Sequence, residues 1–290
     1  MDISVIICTW NRAESLRKCL ESLTQITIPD KIKWEVLIVI NGSTDHTREV
    51  LFDFENNLPV RFYWEPKQGL SRARNTGIKY AKGELLVFFD DDVMIDRSCL
   101  MSFYHAQSLF PDGTLFGGLI EPQIKEGNLK THRLLKDPFF DGLVLRKNLG
   151  PTCRVMNQNE YFFGANFAVR KEVFHQLQFD ERLGKKGAQQ LAGEEIRLQD
   201  EATKRRFIRV WVPGARVLHG IDSNRLHWKE AGRYFWGAGR THYRLQKSIL
   251  FPQLPSLTLF GFWAQISFYW GCWWEYLSSR ITFIRKSKTC

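Results

Sequence analysis

The sequence lacks the features that would staple or export it. Its six cysteines (Cys8, Cys19, Cys99, Cys153, Cys272 and Cys290) contain no C-x-x-C pair and no metal-ligand spacing. That excludes a zinc knuckle or a disulfide framework and predicts reduced thiols. No solenoid or propeller period recurs, and no low-complexity tract interrupts the pattern, which excludes repeat and fibrous architectures. The N-terminus "MDISVIICTWNR" has no basic segment followed by a long apolar run, so no secretory signal is expected and the working part belongs in the cytoplasm. Acidic residues are also in short supply: 31 Asp and Glu face 41 Lys and Arg, a formal charge of +10. That excess suits an anionic partner, whether nucleotide, nucleic acid or acidic membrane.

What is present is a chain of 290 residues, 44% hydrophobic, enough for a sizeable core. "ISVIICTW", "EVLIVI" and "ELLVFF" are short apolar runs suited to strands buried on both faces. Helical spacing follows the first two, in "NRAESLRKCLESL" and "NGSTDHTREVLFDF". Asn11 and Glu14 have the spacing of a capping box for the first helix. Strand alternating with helix predicts βαβ units and a mostly parallel sheet flanked by helices. Ligands bind beyond the carboxyl ends of such strands, where Thr9, Asn41 and Asp90 lie. After about residue 110 the pattern loosens through "FPDGTLFGGLIEP". "YFFGANFAVRKEVFHQL" then reads as strand and helix, "LAGEEIRLQDEATKR" as helix, and "FIRVWVPGARVLH" as two short strands broken at Pro213. The expected divisions are 1–110, 111–225 and 226–290.

"LVFFDDDVMID" drives an apolar strand into three consecutive carboxylates. Like charges at that position repel and are costly to desolvate, so something positive belongs beside them. Asp90 and Asp92 form an Asp-x-Asp, a hard-oxygen arrangement that Mg²⁺ or Mn²⁺ accepts while keeping sites open for phosphate; a solvated acidic turn is the alternative. Upstream, in "KQGLSRARNTGIKYAKGE", Gly69 permits a tight turn, Ser71 can cap a helix, and Arg72 and Arg74 are placed to meet phosphate oxygens.

The segments "SVIICTWNRAESLRKCLESL", "EVLIVINGSTD", "GLSRARNTGIKYAKGELLVFFDDD", "FFGANFAVRKEVF", "FDERLG" and "GEE...VPGARVLH" occur in order. Over residues 2 to 220 the chain resembles the family-two, inverting glycosyltransferases of GT-A fold, of bacterial polysaccharide-biosynthesis type. The resemblance implies that Thr9, Asn11 and Arg12 border the base and ribose of a nucleotide sugar, and that Asn41 and Asp45 cradle the nucleoside. It places Gly69, Arg74 and Asp91 about the donor and Asn166 near the donor sugar and acceptor. It implies a metal at Asp90 and Asp92, with His219 nearby. "GEE" stands where the family usually has Gly-Glu-Asp, whose final acid is the base; that gives the role to Glu195, or to Glu194 if the longer side chain shifts the reach. The family usually has an aspartate where this chain has Ile40, which leaves the base of the donor open. The implied acceptor is a glycan or a lipid-linked sugar, and the implied activity a hexosyl transfer.

Ser248 to Trp274 carries no charge, and "LTLFGFWAQISFYWGCWWEYL" is dense in aromatic residues. It is long enough to span a bilayer. Thr258, Gly261, Gln265, Tyr269, Cys272 and Glu275 nonetheless recur at steps of three or four as a weakly polar stripe, which favours an in-plane or re-entrant helix at the cytoplasmic membrane face. A crossing would also export Arg280, Arg285, Lys286 and Lys288. Arg233, Arg240, Arg244 and Lys247, mixed with aromatics, suit anionic lipid; packing on the protein's own core is the other possibility. Two rival functions fit less well. A sugar-phosphate nucleotidyltransferase is disfavoured because no glycine-rich phosphate loop lies near the first strand. A nucleic-acid-binding protein is disfavoured because carboxylates crowd the sheet mouth, so no nucleic acid partner is expected.

Overall fold

The computed structural model describes residues 1–124, 140–187, 192–221, 226–246 and 263–276. The chain divides into two compact units. The first comprises Met1–Gln123, Leu145–Arg182 and Glu194–Gly220. The second comprises Ile124–Val144, Leu183–Gly193 and Ile221–Cys290.

In the first unit β1 (Ile3–Thr9), β2 (Trp34–Ile40), β3 (Val60–Trp64) and β4 (Leu85–Asp90) pair in parallel in the order β3-β2-β1-β4. They are linked by α1 (Ala13–Leu23), α2 (Thr47–Phe52) and α3 (Leu70–Tyr80). The apolar runs alternate between two cores. Ile3, Val5 and Ile7 face one side with Val36, Ile38, Val87 and Phe89, while Ile6, Leu37, Leu86 and Phe88 face the other. Burial on both faces is why these strands read as continuous hydrophobic stretches. The strand order reverses at β1 and β4, and an open sheet leaves a crevice beyond the carboxyl ends at such a point.

Beyond β4 the sheet is antiparallel. Next come β5 (Val93–Ile95), α4 (Cys99–Leu109), β6 (Gly113–Ile124), β7 (Arg154–Val155), β8 (Asn166–Arg170), α6 (Glu194–Lys204) and β9 (Ile208–Ile221), with the short α5 (Asp141–Val144) in the second unit. β8 pairs with β4 and β6, and β5 and β7 pair with β9, all antiparallel. The sheet is therefore mixed, and residues before and after 110 contribute to the same nine strands. Two local expectations are corrected here. The Gly- and Pro-punctuated "GTLFGGLIEP" lies within one strand, β6, whose glycines mark close approach. A Cβ on Gly117 would lie 2.4 Å from Phe162 Cβ, and one on Gly118 2.3 Å from the Asn166 amide. β9 likewise runs through Pro213 unbroken, because its partners change along its length: Val210 and Trp211 face β7, Val217 to His219 face β5.

In the second unit α7 (Trp228–Gln246) packs on α8 (263–276). Their contacts advance together. Gly232 meets Trp263, Gly239 meets Phe268 and Cys272, and Arg240 and Arg244 meet Glu275, so the helices run parallel. Gly239 and Gly271 let the two backbones touch: a Cβ on either would lie 2.0 Å from a carbonyl oxygen of the other helix. The expected polar stripe is divided: Tyr269 is exposed, while Cys272 and Glu275 face α7. Cys272 donates its thiol to the Gly239 carbonyl at 3.1 Å, and Glu275 accepts from Arg240 at 2.9 Å and Arg244 at 2.6 Å. Thr258, Gly261, Lys247 and the basic residues from Arg280 to Lys288 lie outside the described residues. No described helix is long and apolar enough to cross a membrane.

Candidate active site

Five carboxyl side chains and two guanidinium groups gather where β1 and β4 end. Asp90 closes β4, Asp91 and Asp92 make the turn into β5, and β9 lays His219 opposite Val93. Arg12, at the head of α1, bridges the turn: its Nη1 donates to Asp91 Oδ1 at 2.9 Å and to Asp92 Oδ2 at 2.8 Å. Asp91 is buried, and desolvation pushes its carboxyl up to about 6, with Asp92 adding to the rise and Arg12 opposing it. Asp92 Oδ1 points the other way, 3.2 Å from His219 Nε2. His219 is 1% exposed, and neither ring nitrogen has a hydrogen bond among the described residues. Buried polar groups are normally satisfied; an imidazole nitrogen facing a carboxylate oxygen is a donor set that a divalent cation accepts.

The structure brings Asp92 and His219 together but turns Asp90 elsewhere. Asp90 Oδ1 lies 3.3 Å from Arg74 Nη2, and among the described residues no three His, Cys, Asp or Glu converge as a metal cluster. Mg²⁺ needs only one or two carboxylates when substrate phosphates and water complete its shell, so the residues present fit such an ion.

Arg74, expected to meet phosphate, has protein partners on several sides. It is 3% exposed on α3, donating to Glu194 Oε1 at 2.6 Å and to the Gly164 carbonyl at 2.9 Å. Phe167 and Phe179 lie against its guanidinium, with ring centroids at 5.7 and 5.4 Å. Glu194 is thereby locked behind the site, while the next residue, Glu195, remains partly exposed. Burial of its carboxyl, and then the charge of Glu194, push Glu195 up to about 8 against the pull of Arg74.

Several other expected site residues, Asn166, Asn41 and Asp45 among them, have polar atoms engaged within the fold. Asn166 is fully buried and ties β8 to its neighbours, donating to the Leu119 and Ala215 carbonyls at 2.9 and 2.8 Å. Asn41 donates to the Glu65 and Lys67 carbonyls and accepts from the Gly69 N–H at 2.8 Å, which anchors the turn where Gly69 adopts φ +145°. Asp45 receives the Ala13 N–H at 3.1 Å and the Thr47 N–H at 3.2 Å, serving the first turns of α1 and α2 at once. The Asn11–Glu14 capping box is absent for that reason: Asn11 Oδ1 accepts from the Thr44 N–H, and Glu14 pairs with His46. Ser71 is buried in the first turn of α3, whose cap position is Gly69. Thr9 is buried at the end of β1. The next residue, Trp10, is not among the expected site residues but is 37% exposed at the mouth. An indole directly after an almost entirely buried strand is the signal in the sequence that marks it.

A mixed sheet flanked by helices is the architecture of the GT-A glycosyltransferases. The profile described as Glycosyl transferase family 2 matches residues 4–178, and the chain belongs to that family. Poly-beta-1,6-N-acetyl-D-glucosamine synthase of Staphylococcus epidermidis is 34% identical over 265 residues, 88% of this chain and 62% of that protein. Glycosyltransferase AglE of Haloferax volcanii is 45% identical over 93 residues, 31% of this chain and 30% of that one. The chain thus spans less than two thirds of the length of these relatives. The fold matches S. aureus TarS 1–349 in complex with UDP-GlcNAc (TM-score 0.60, 16% identity, 88% of this chain and 77% of that chain). It also matches the mannosyltransferase PcManGT from Pyrobaculum calidifontis in complex with GDP-Man and Mn²⁺ (TM-score 0.60, 18% identity, 93% and 73%).

Proposed function

We propose that this chain transfers a sugar from a nucleoside diphosphate sugar to an acceptor hydroxyl with inversion, in the assembly of a cell-surface polysaccharide or lipid-linked glycan at the cytoplasmic membrane face. One observation carries the reading. A carboxylate–imidazole pair (Asp92, His219) and a carboxyl raised to about 8 (Glu195) belong to one sheet mouth, in a chain of this family. Among the described residues four of the five carboxyls there pair with two guanidinium groups, Arg12 and Arg74, a deficit of positive charge that a divalent cation offsets. Mg²⁺ or Mn²⁺ held by Asp92 and His219, with Asp90 flanking, would supply Lewis-acid stabilisation for the departing diphosphate. The mannosyltransferase PcManGT, of like fold, was solved in complex with GDP-Man and Mn²⁺.

The chain's own residues do the rest. Arg12 holds Asp92 by one oxygen and leaves the other toward His219. Trp10 presents an indole face at the mouth for the base. Glu195 takes the acceptor proton; Glu194 does not, because its carboxylate is committed to Arg74. A single displacement assisted by one base inverts the anomeric centre. The test is titration calorimetry with UDP and GDP, with and without Mn²⁺, followed by a donor-hydrolysis screen across nucleotide sugars. Metal-enhanced binding of a nucleoside diphosphate and turnover of one donor are expected. Failure to bind either nucleotide, with or without Mn²⁺, would refute the reading.

A further inference from the structure

The second unit holds a surface that sugar transfer does not use. On α8 one side is buried on its neighbours: Ala264, Phe268 and Cys272 are at most 5% exposed, and Glu275 is neutralised by two arginines of α7. The opposite side carries Ile266 (41% exposed), Tyr269 (39%), Trp270 (69%), Trp273 (47%) and Trp274 (56%), residues three and four apart that form one stripe. Trp228, itself 51% exposed, stacks edge-on against Trp263 at 5.8 Å and extends the aromatic surface to the first turn of α7, where Lys229 lies over its ring. The helix cannot simply roll this stripe inward, because the glycine contacts leave no room between the α7 and α8 backbones.

We propose that this stripe lies in the headgroup region of an anionic lipid bilayer, holding α8 in the membrane plane. The proposal deepens the membrane reading made for the transferase. Three observations select lipid over a protein partner. The side chains are those that favour the bilayer interface, indole and phenol groups with an apolar body and a polar edge. The fourteen described residues of α8 extend about 21 Å, and no described helix is long and apolar enough to cross a membrane, so the described stripe suits lying on a bilayer. The charge is favourable: among the described residues the stripe includes no acidic side chain and Lys229 lies over the Trp228 ring, and the sequence as a whole carries a net charge of +10.

The experiment sediments the full chain with vesicles of phosphatidylcholine alone or with about a third phosphatidylglycerol, at low and high salt, beside the Trp270→Ser/Trp273→Ser/Trp274→Ser variant. Vesicle binding does not depend on donor turnover, so its failure is distinguishable from failure of the transferase reading. Expected are binding to the anionic vesicles that weakens with salt, quenching of tryptophan fluorescence by brominated acyl chains, and at least about a tenfold loss of partitioning in the variant. Nucleotide affinity should be unchanged in the variant. Should the triple variant not fold, Trp270→Ser alone removes the most exposed ring and is expected to reduce both partitioning and quenching. Equal partitioning of wild type and variant would overturn the proposal. So would a wild-type chain that ignores vesicles but self-associates until the three rings are removed, since the stripe would then be an interface between copies.

Discussion

Replacing Arg74 with methionine tests the central electrostatic argument. The guanidinium is 3% exposed and joins Glu194, whose side chain is 5% exposed, at 2.6 Å. Methionine keeps much of the volume against Phe167 and Phe179 but leaves Glu194 buried without its cation. Breaking a buried pair from one side costs about 3–5 kcal/mol, and the Gly164 carbonyl loses a donor worth roughly another 1 kcal/mol. At about 2–4 °C per kcal/mol for a protein of this size, the melting temperature should fall by on the order of 10 °C. The double variant Arg74→Met/Glu194→Gln removes both charges, and about 1–3 kcal/mol of the loss should return as coupling energy. Asp90 is less affected, because water still reaches its partly exposed carboxylate. Urea and thermal unfolding followed by circular dichroism measure all four corners of the cycle. Additive losses in the double variant, or a single variant that loses less than about 1 kcal/mol, would refute the argument that Arg74 is a buried lock.

Glu195 sets the pH dependence. Its carboxyl is raised to about 8, so the basic form grows as pH rises, and kcat/KM should climb about tenfold per pH unit below that value and level off above it. Glu195→Gln should lower turnover by about 10²–10⁴ and flatten that limb; a flat wild-type profile refutes the assignment. The stability sign is opposite: a raised carboxyl favours its neutral form, so its cost to the fold grows as pH rises from the ordinary carboxylate range through about 8. Glu195→Gln should therefore be stabilising in alkaline solution, checked by urea midpoints across pH. Asp92→Asn should abolish the Mn²⁺-dependent gain in nucleoside diphosphate affinity while circular dichroism stays unchanged; a retained gain in calorimetry places the metal elsewhere. Gly239→Ala puts a methyl 2.0 Å from the Phe268 carbonyl oxygen, a backbone atom that cannot swing aside. Separation of α7 from α8 at a cost of about 1–3 kcal/mol is expected, read as faster proteolysis of the C-terminal unit.

The parallel half of the sheet was legible because its signal is local. Ile3 to Ile7, Val36 to Ile40 and Leu85 to Phe89 are apolar almost without interruption, and burial on both faces requires that wherever the strands sit. The acidic turn was legible for a related reason: three carboxylates at the end of a buried strand call for a counter-charge under any fold. β6 was missed because glycine reads as a breaker, whereas Gly117 and Gly118 are there to admit Phe162 and Asn166. Pro213 misled in the same way, since a proline is tolerated in a strand whose partners change along its length.

The sequence by itself determined the class of the fold, the mouth at which its chemistry gathers, and the family. Those follow from apolar periodicity, from charge types that must be compensated, and from motifs in a fixed order. Tertiary structure alone decided which charge answers which. Arg74 is paired with Glu194, 120 positions away. Arg12 lies between Asp91 and Asp92. On α8 the weakly polar residues Cys272 and Glu275 turned inward and the tryptophans outward because glycines on both helices bring the backbones together and two arginines meet Glu275 there. The side of a helix that is buried depends on the shape and charge of its neighbour, and spacing along one chain does not encode that.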